Sequence, residues 1–307
     1  MQHKFTFGPV NSRRLGLSLG VDIVPGKFCT LDCIYCEAGK TTTRTTTRQE
    51  FFNVEEIISE IDRAISEYPD IEHITISGSG EPTLNRNMGK IISEIKKHIN
   101  IPVAVLTNGT LLNDPDVRAD LLEADIVIPS LDAVTQETFK KVNRPSPDLQ
   151  IDSIIEGLKL FRKQYKGALW LEILFVEGIN DNDDELLKMK EIIEQINPDK
   201  VHINTVVRPP ACAIARPVSE QRLIEIQKIL GDKSEIIGGV TSKHKDRHET
   251  NSQSILELLK RRPMTLNDIA ISLGVDSADL EATLNKMLSD RVIKTYLFEG
   301  KEFYQAI

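Results

Sequence analysis

Three cysteines stand within eight residues in Cys29-Thr-Leu-Asp-Cys33-Ile-Tyr-Cys36, spaced by three residues and then by two. Three thiolates on one tight loop can hold three corners of a [4Fe–4S] cluster, and a fourth cysteine close by would close the site. None is close by, because the remaining cysteine, Cys212, lies far along the chain. An iron left without a protein ligand can bind a substrate, as the open position of a catalytic zinc does. The alternative is a zinc site completed by Cys212 or a distant histidine, although structural zinc usually takes paired C-x₂₋₄-C units.

Further polar clusters follow apolar runs. Ser77-Gly-Ser79-Gly80-Glu81-Pro-Thr83 offers glycines that let a backbone approach a ligand closely, with carbonyls and Glu81 able to accept from an ammonium group. A plain glycine turn ahead of a helix is the other reading. Thr107-Asn108-Gly-Thr110 and Pro129-Ser130-Leu-Asp132 carry groups suited to a ligand, or to turns and helix caps. Glu172 shares a strand face with Trp170 and Leu174, and His202, Asn204 and Val206 share another that leads to Arg208. Facing inward, such polar groups mark a cavity, since burying them without partners is costly; the opposite phase turns them toward helices or solvent. Arg208 suits a carboxylate or phosphate, and so does the adjacent pair Arg13 and Arg14, unless that pair is simply solvated. Cys212 is a hydrogen donor, a transient covalent contact or an incidental reduced thiol. The Thr-rich run from Lys40 to Arg48 reads as a surface segment or lid over the site.

Positioning these groups requires alternating strands and helices. Short β-branched runs at 19–24, 72–77, 102–107, 124–129, 170–176 and 200–207 predict six strands. Between and after them, apolar residues at helical spacing predict helices over 54–68, 87–99, 114–123, 149–165, 183–196 and 219–231. This order predicts an α/β fold with a parallel sheet, an open or partial (β/α)6 barrel whose site lies at the C-terminal strand ends. Residues 1–240 form that unit, 241–250 a charged linker, and 251–307 a second unit. The second unit reads as three helices and two short strands turned at Glu299 and Gly300, with Gly274 between the second and third helices. That order resembles a winged helix-turn-helix domain.

Over about residues 8–240 the chain resembles the radical S-adenosylmethionine (radical SAM) superfamily. Its signature is CxxxCxxC with an aromatic residue before the last cysteine, here Tyr35. The resemblance implies a [4Fe–4S] cluster on Cys29, Cys33 and Cys36 whose open iron is chelated by the amino and carboxylate groups of S-adenosylmethionine. One electron then yields methionine and a 5′-deoxyadenosyl radical that abstracts hydrogen from a substrate. Ser79-Gly80-Glu81 is similar to the family's Gly-Gly-Glu motif with Ser79 in place of the first glycine. Asn108, Ser130 and Asp132 match positions whose polar groups bind the ribose hydroxyls and the methionine carboxylate. The opening Gly8-Pro-Val-Asn-Ser12-Arg13-Arg14-Leu-Gly16 is similar to a branch described as iron–sulfur oxidoreductases, related to the wybutosine-type enzymes. No second cysteine group or cobalamin-binding segment is present, so neither an auxiliary cluster nor cobalamin is expected. An external low-potential electron donor, a ferredoxin or flavodoxin, is the family expectation. The substrate stays open among RNA, a peptide and a small molecule.

Composition sets the remaining bounds. With 40% apolar and 27% charged residues in 307, the chain reads as a soluble globular protein without a membrane-spanning run or a signal peptide, so a cytoplasmic location is expected. A net charge of −8 gives no general attraction to nucleic acid. Residues 241–307 balance six Lys and four Arg against five Asp and five Glu. The third helix of that unit carries Asp276, Asp279, Glu281 and Asp290, which oppose phosphate contacts, so docking of a protein, peptide or substrate is favoured over DNA reading. The competing function is an iron–sulfur redox sensor that binds DNA through the winged helix.

Overall fold

A computed structural model describes residues 4–12, 14–237 and 252–307. Arg13 and the expected linker at 241–250 lie outside the described residues. The first elements are β1 (Thr6–Ser12), β2 (Gly16–Val21), β3 (Phe28–Cys29), β4 (Thr43–Arg44) and α1 (Val54–Glu67). There follow β5 (His73–Ile76), α2 (Met88–His98), β6 (Val103–Thr107), α3 (Pro115–Leu121), β7 (Ile126–Pro129), α4 (Gln136–Val142) and α5 (Ile151–Gln164). Then come β8 (Ala168–Phe175), α6 (Asp183–Ile196), β9 (Lys200–Thr205), α7 (Glu220–Leu230) and β10 (Ser234–Ile236). The C-terminal unit holds α8 (Ser252–Arg261), α9 (Leu266–Leu273), α10 (Ser277–Ser289), β11 (Ile293–Phe298) and β12 (Lys301–Ala306).

Eight strands form one sheet in the order β1-β2-β5-β6-β7-β8-β9-β10. All neighbours are parallel except β1, which runs antiparallel to β2. Parallel neighbours need crossover connections, and helices supply them, covering one face of the sheet. The main core lies there: Leu169, Leu171, Ile173 and Phe175 of β8 and Val201 and Ile203 of β9 pack with helix residues such as Ile57, Ile91 and Leu158. Side chains alternate along a strand, so Trp170, Glu172, Leu174, His202 and Asn204 take the opposite, inner face. Of the two phases the sequence left open, these residues take the face opposite the helices.

Several sequence expectations are corrected. The first parallel strand occupies Gly16–Val21 rather than 19–24, because its ladder with β5 begins at Ser18 and ends at Val21, where the chain turns off toward the cysteines. Edge strands β1 and β10 are additional to the six expected; each pairs along a single edge and carries no clean apolar alternation. Helix α4, at seven residues, is too short to show a period, and its cap is Thr135, which accepts from the Thr138 amide, rather than Asp132.

The C-terminal unit matches the expected order, three helices and an antiparallel hairpin. Thr265 and Asp268 form a reciprocal capping box at the start of α9, and Gly274 ends that helix at a φ of 67°, in the left-handed region that favours glycine. The unit is seated on β1: Val10 packs against its core, and Asn11 Nδ2 donates to the Ile271 carbonyl at 2.6 Å.

Candidate active site around the cysteine loop

The cysteine loop leaves β2 through Pro25 and Gly26 and is held from several sides. Phe28–Cys29 pairs with Thr43–Arg44, the Ile34 amide donates to the Val142 carbonyl at 2.9 Å, and the Cys212 amide donates to the Ile34 carbonyl at 2.9 Å. The Thr-rich segment is thus a brace rather than a lid. Its Thr41 amide bonds Asp32, its Thr46 hydroxyl bonds Asp148, and its Arg48 pairs with Asp120.

Each of the three sulfurs meets a side-chain N–H donor. Lys27 Nζ lies 3.0 Å from Cys36 Sγ, Asn143 Nδ2 3.3 Å from Cys33 Sγ, and Asn108 Nδ2 3.5 Å from Cys29 Sγ. Donors aimed at sulfur stabilise thiolate ligands and tune the potential of a cluster they hold. Burial, aided by the Glu81 charge, pushes the Cys29 thiol up to about 12, and burial with the Asp132 charge raises Cys33 as well. Iron must therefore supply the attraction that deprotonates them. No group of three or more His, Cys, Asp or Glu side chains among the described residues is arranged to hold a metal ion by itself. A [4Fe–4S] cluster instead spreads its thiolates over separate iron corners, and three donor-backed thiols on one loop fit it. Sequence reasoning missed Lys27 and Asn143; the first has no motif, and the second follows the short α4.

The strand-end groups are brought together around this loop, several in roles other than ligand contact. Glu81 is 2% exposed and accepts from Thr83, from the Thr107 hydroxyl at 2.5 Å and from the Asn108 amide at 2.7 Å. It therefore ties the ends of β5 and β6 together, which corrects the expectation of a free acceptor. A Cβ on Gly80 would run into the Phe28 carbonyl oxygen, so the close approach it permits is to the cysteine loop. Ser79 donates its amide to Asp22 at 3.1 Å. Asp132 accepts from Tyr35, from Asn143 at 2.7 Å and from the Leu174 amide at 2.9 Å, and burial raises its pKa. It thereby anchors the aromatic residue that precedes Cys36. Asn108 and Ser130 remain partly exposed, and with Asp132 they line a small pocket beside the loop.

On the inner face, Arg14 pairs with Glu172, whose Oε1 also accepts from Asn204 Nδ2 at 3.1 Å. Arg208 is 4% exposed and its Nη1 donates to both oxygens of Glu37 at 3.0 and 3.1 Å, so it already holds a protein carboxylate rather than waiting for one. His202 is not drawn to the loop. It is 1% exposed, lies edge-on to Trp170 and bonds Glu235 of β10 at 3.0 Å through Nε2. Cys212 packs beside Ile34 and Tyr35. A cavity of about 320 Å³ opens beside Cys36 and Glu37, lined by Arg14, Arg208 and, at the C-terminal end of α8, Arg261 with the following Arg262. These last two arginines were missed because nothing in the sequence pattern places that helix over the sheet.

The family model of the radical SAM superfamily matches residues 23–189. A protein of Brachyspira hyodysenteriae named GTPase Obg is 36% identical over 304 residues, 98% of this chain and 45% of that one, so the chain spans less than half of that relative. A UPF0026 protein of Methanocaldococcus jannaschii is 34% identical over 308 residues, 97% of this chain and 94% of that one. A solved radical SAM methyltransferase from Sphaerobacter thermophilus shares the fold, with a TM-score of 0.57 and 17% identity over 71% of this chain and 65% of that one. The chain belongs to the UPF0026 family and to the radical SAM superfamily, whose members work with a [4Fe–4S] cluster and S-adenosylmethionine.

Proposed function

We propose that this chain is a radical SAM enzyme that abstracts hydrogen from its substrate, with the cluster on Cys29, Cys33 and Cys36 and the cosubstrate beside it. The observation that carries this reading is the N–H donor set on all three sulfurs, Lys27, Asn108 and Asn143, contributed by three separate segments of the chain. When bound, the cluster supplies the electron that splits S-adenosylmethionine into methionine and a 5′-deoxyadenosyl radical. The protein's own part is positioning. Asp132 fixes Tyr35 against the loop, Glu81 fixes Asn108, and Asn108 and Ser130 offer polar atoms to the cosubstrate's ribose and carboxylate. Backbone groups at Ser79 and Gly80 are the candidates for its ammonium group.

In this reading the sheet is a partial (β/α)6 barrel with β1 and β10 added at its edges. Residues 251–307 are a winged-helix-like unit that serves the enzyme rather than DNA, since they are seated on β1 and on Arg208. A ferredoxin or flavodoxin is the proposed electron donor. The test is anaerobic reconstitution with iron and sulfide, then dithionite and S-adenosylmethionine, with chromatographic assay of 5′-deoxyadenosine. Wild type is expected to form it and Cys33→Ala to form none and to lose its iron. A brown, cluster-loaded wild type that makes no 5′-deoxyadenosine would sink the enzyme reading.

A further inference from the structure

Resting on that reading, the structure also bears on what the enzyme acts upon. Among the described residues, six buried side-chain nitrogens or oxygens lack a hydrogen-bond partner. Three of the six are the Nε atoms of Arg14, Arg208 and Arg261, and all three residues line the same 320 Å³ cavity beside Cys36. Buried donors are normally satisfied, so three orphaned guanidinium Nε atoms around one space mark cations whose protein partners are incomplete, which favours an anion at the cavity they line.

Each arginine is anchored at one edge. Arg14 is held by Glu172, Arg208 by Glu37 with Asp268 of α9 at 3.8 Å, and Arg261 by Glu257 at 3.5 Å with its guanidinium 4.1 Å from the Phe7 ring centroid. Such anchoring removes rotamer freedom while leaving the remaining N–H groups in a fixed geometry, as bidentate recognition of oxyanions requires. The lining side chains include four arginines and one carboxylate, Glu37. Burial holds the Arg261 guanidinium below its ordinary pKa, even though Asp22, Glu257 and Glu60 pull the other way. This is the behaviour of a cation that its protein partners do not fully compensate.

The pocket where Asn108, Ser130 and Asp132 gather holds only about 10 Å³ and none of these three lines the cavity, whereas Ser77 and Gly78 of the glycine-rich turn do, so the cavity adjoins the place proposed for the cosubstrate's ammonium group. Its volume lies at the low end of small-molecule sites, too small for a folded macromolecule. One wall is α8, so the C-terminal unit completes the chamber and contributes Leu258, Arg261 and Arg262 to it.

We propose that this chamber receives the substrate, that the substrate is a small molecule bearing a carboxylate or phosphate, and that Arg14 and Arg261 grip this group beside the cluster loop. The experiment is calorimetric titration of the reconstituted full chain with inorganic phosphate and, separately, with succinate, each with and without saturating S-adenosylmethionine. One of the two anions is expected to bind wild type with the cosubstrate present. Arg261→Gln is expected to weaken it roughly 10-fold or more, and Arg261→Lys, which keeps the charge, to recover part of the loss. Arg14→Gln reads the same property should Arg261→Gln fail to fold. Absence of binding by both anions, or equal affinity in Arg261→Gln, would overturn the inference. Displacement of the anion by S-adenosylmethionine would overturn it too, by assigning the arginines to the cosubstrate's own carboxylate. Failure of wild type to form 5′-deoxyadenosine would instead strike the radical SAM reading beneath it.

Discussion

The two faces of the sheet use alternate residues of the same strands for opposite purposes. On β8, Leu169, Leu171, Ile173 and Phe175 face the helices and are fully buried, while Trp170, Glu172 and Leu174 face inward and remain partly exposed. The helix face gains stability from apolar area alone, which tolerates many residue combinations of the right volume. On the inner face, burial carries a second cost, because Arg14, Glu172, Asn204 and His202 must find partners in a low-dielectric space. They find them only in part, since Arg14 Nε and His202 Nδ1 are buried without a hydrogen-bond partner. Stability and function are thus separated across the thickness of one sheet.

The cleanest way to break the comparison is to truncate each face in turn. Ile173→Ala on the helix face should cost about 2–5 kcal/mol of stability through lost contacts and the cavity left behind. Glu172→Gln on the inner face should cost about 1–2 kcal/mol, since Arg14 and Asn204 keep a hydrogen-bonding partner of the same shape. Denaturant melts of the two variants would contradict the division of labour if the order were reversed.

His202 sharpens the point with pH. Burial and the Arg14 charge push its pKa down from 6.5 to about 4. The unfolded chain takes up this proton near 6.5 and the folded chain only near 4, so the folded state is penalised as pH falls between those values. Stability from this site is complete above about pH 6.5 and declines toward pH 4, by about 1–3 kcal/mol. Replacing it in His202→Gln should flatten the acid limb of a plot of Tm against pH; an unchanged limb would show that this histidine is not the source.

A local effect, read in redox potential and iron retention rather than in folding stability, is expected at the cysteine loop. Asn143→Ala removes the donor to Cys33 and should make the cluster's midpoint potential more negative, with cluster retention weakened roughly 10-fold. An anaerobic redox titration reads the first and iron content after dilution the second. A potential that moves upward or not at all would mean that the Asn143 contact does not tune the site.

Much of this was legible in the chain. Cys29, Cys33 and Cys36 sit within one loop, so their spacing alone determines that they can share a cluster. Period-two alternation in 170–176 and 200–207 shows which residues share a strand face, and helical periodicity placed α6 at Asp183–Ile196 and all three helices of the C-terminal unit. Local patterns of this kind are set by neighbours a few residues apart, and that is the range over which backbone geometry repeats. What residues such as Arg208, Glu81 and Asp132 actually bond was not legible. Arg208 meets Glu37 across 171 positions, and Asp132 meets Tyr35 across 97. A charged side chain's partner depends on how distant segments pack, and no local period encodes it.

The same distinction accounts for the edge strands and for α8. Strands β1 and β10 exist because a neighbouring strand offers an unpaired edge, and α8 becomes a chamber wall because Val10 and Asn11 of β1 receive its unit. The sequence by itself determined the grouping of three cysteines on one loop, the alternation of strands and helices and which residues of β8 and β9 share a face, since these follow from spacing along the backbone. Only the tertiary structure decided which carboxylates neutralise which arginines and that the C-terminal unit closes the cavity, since those outcomes depend on desolvation and pairing between segments far apart in the chain.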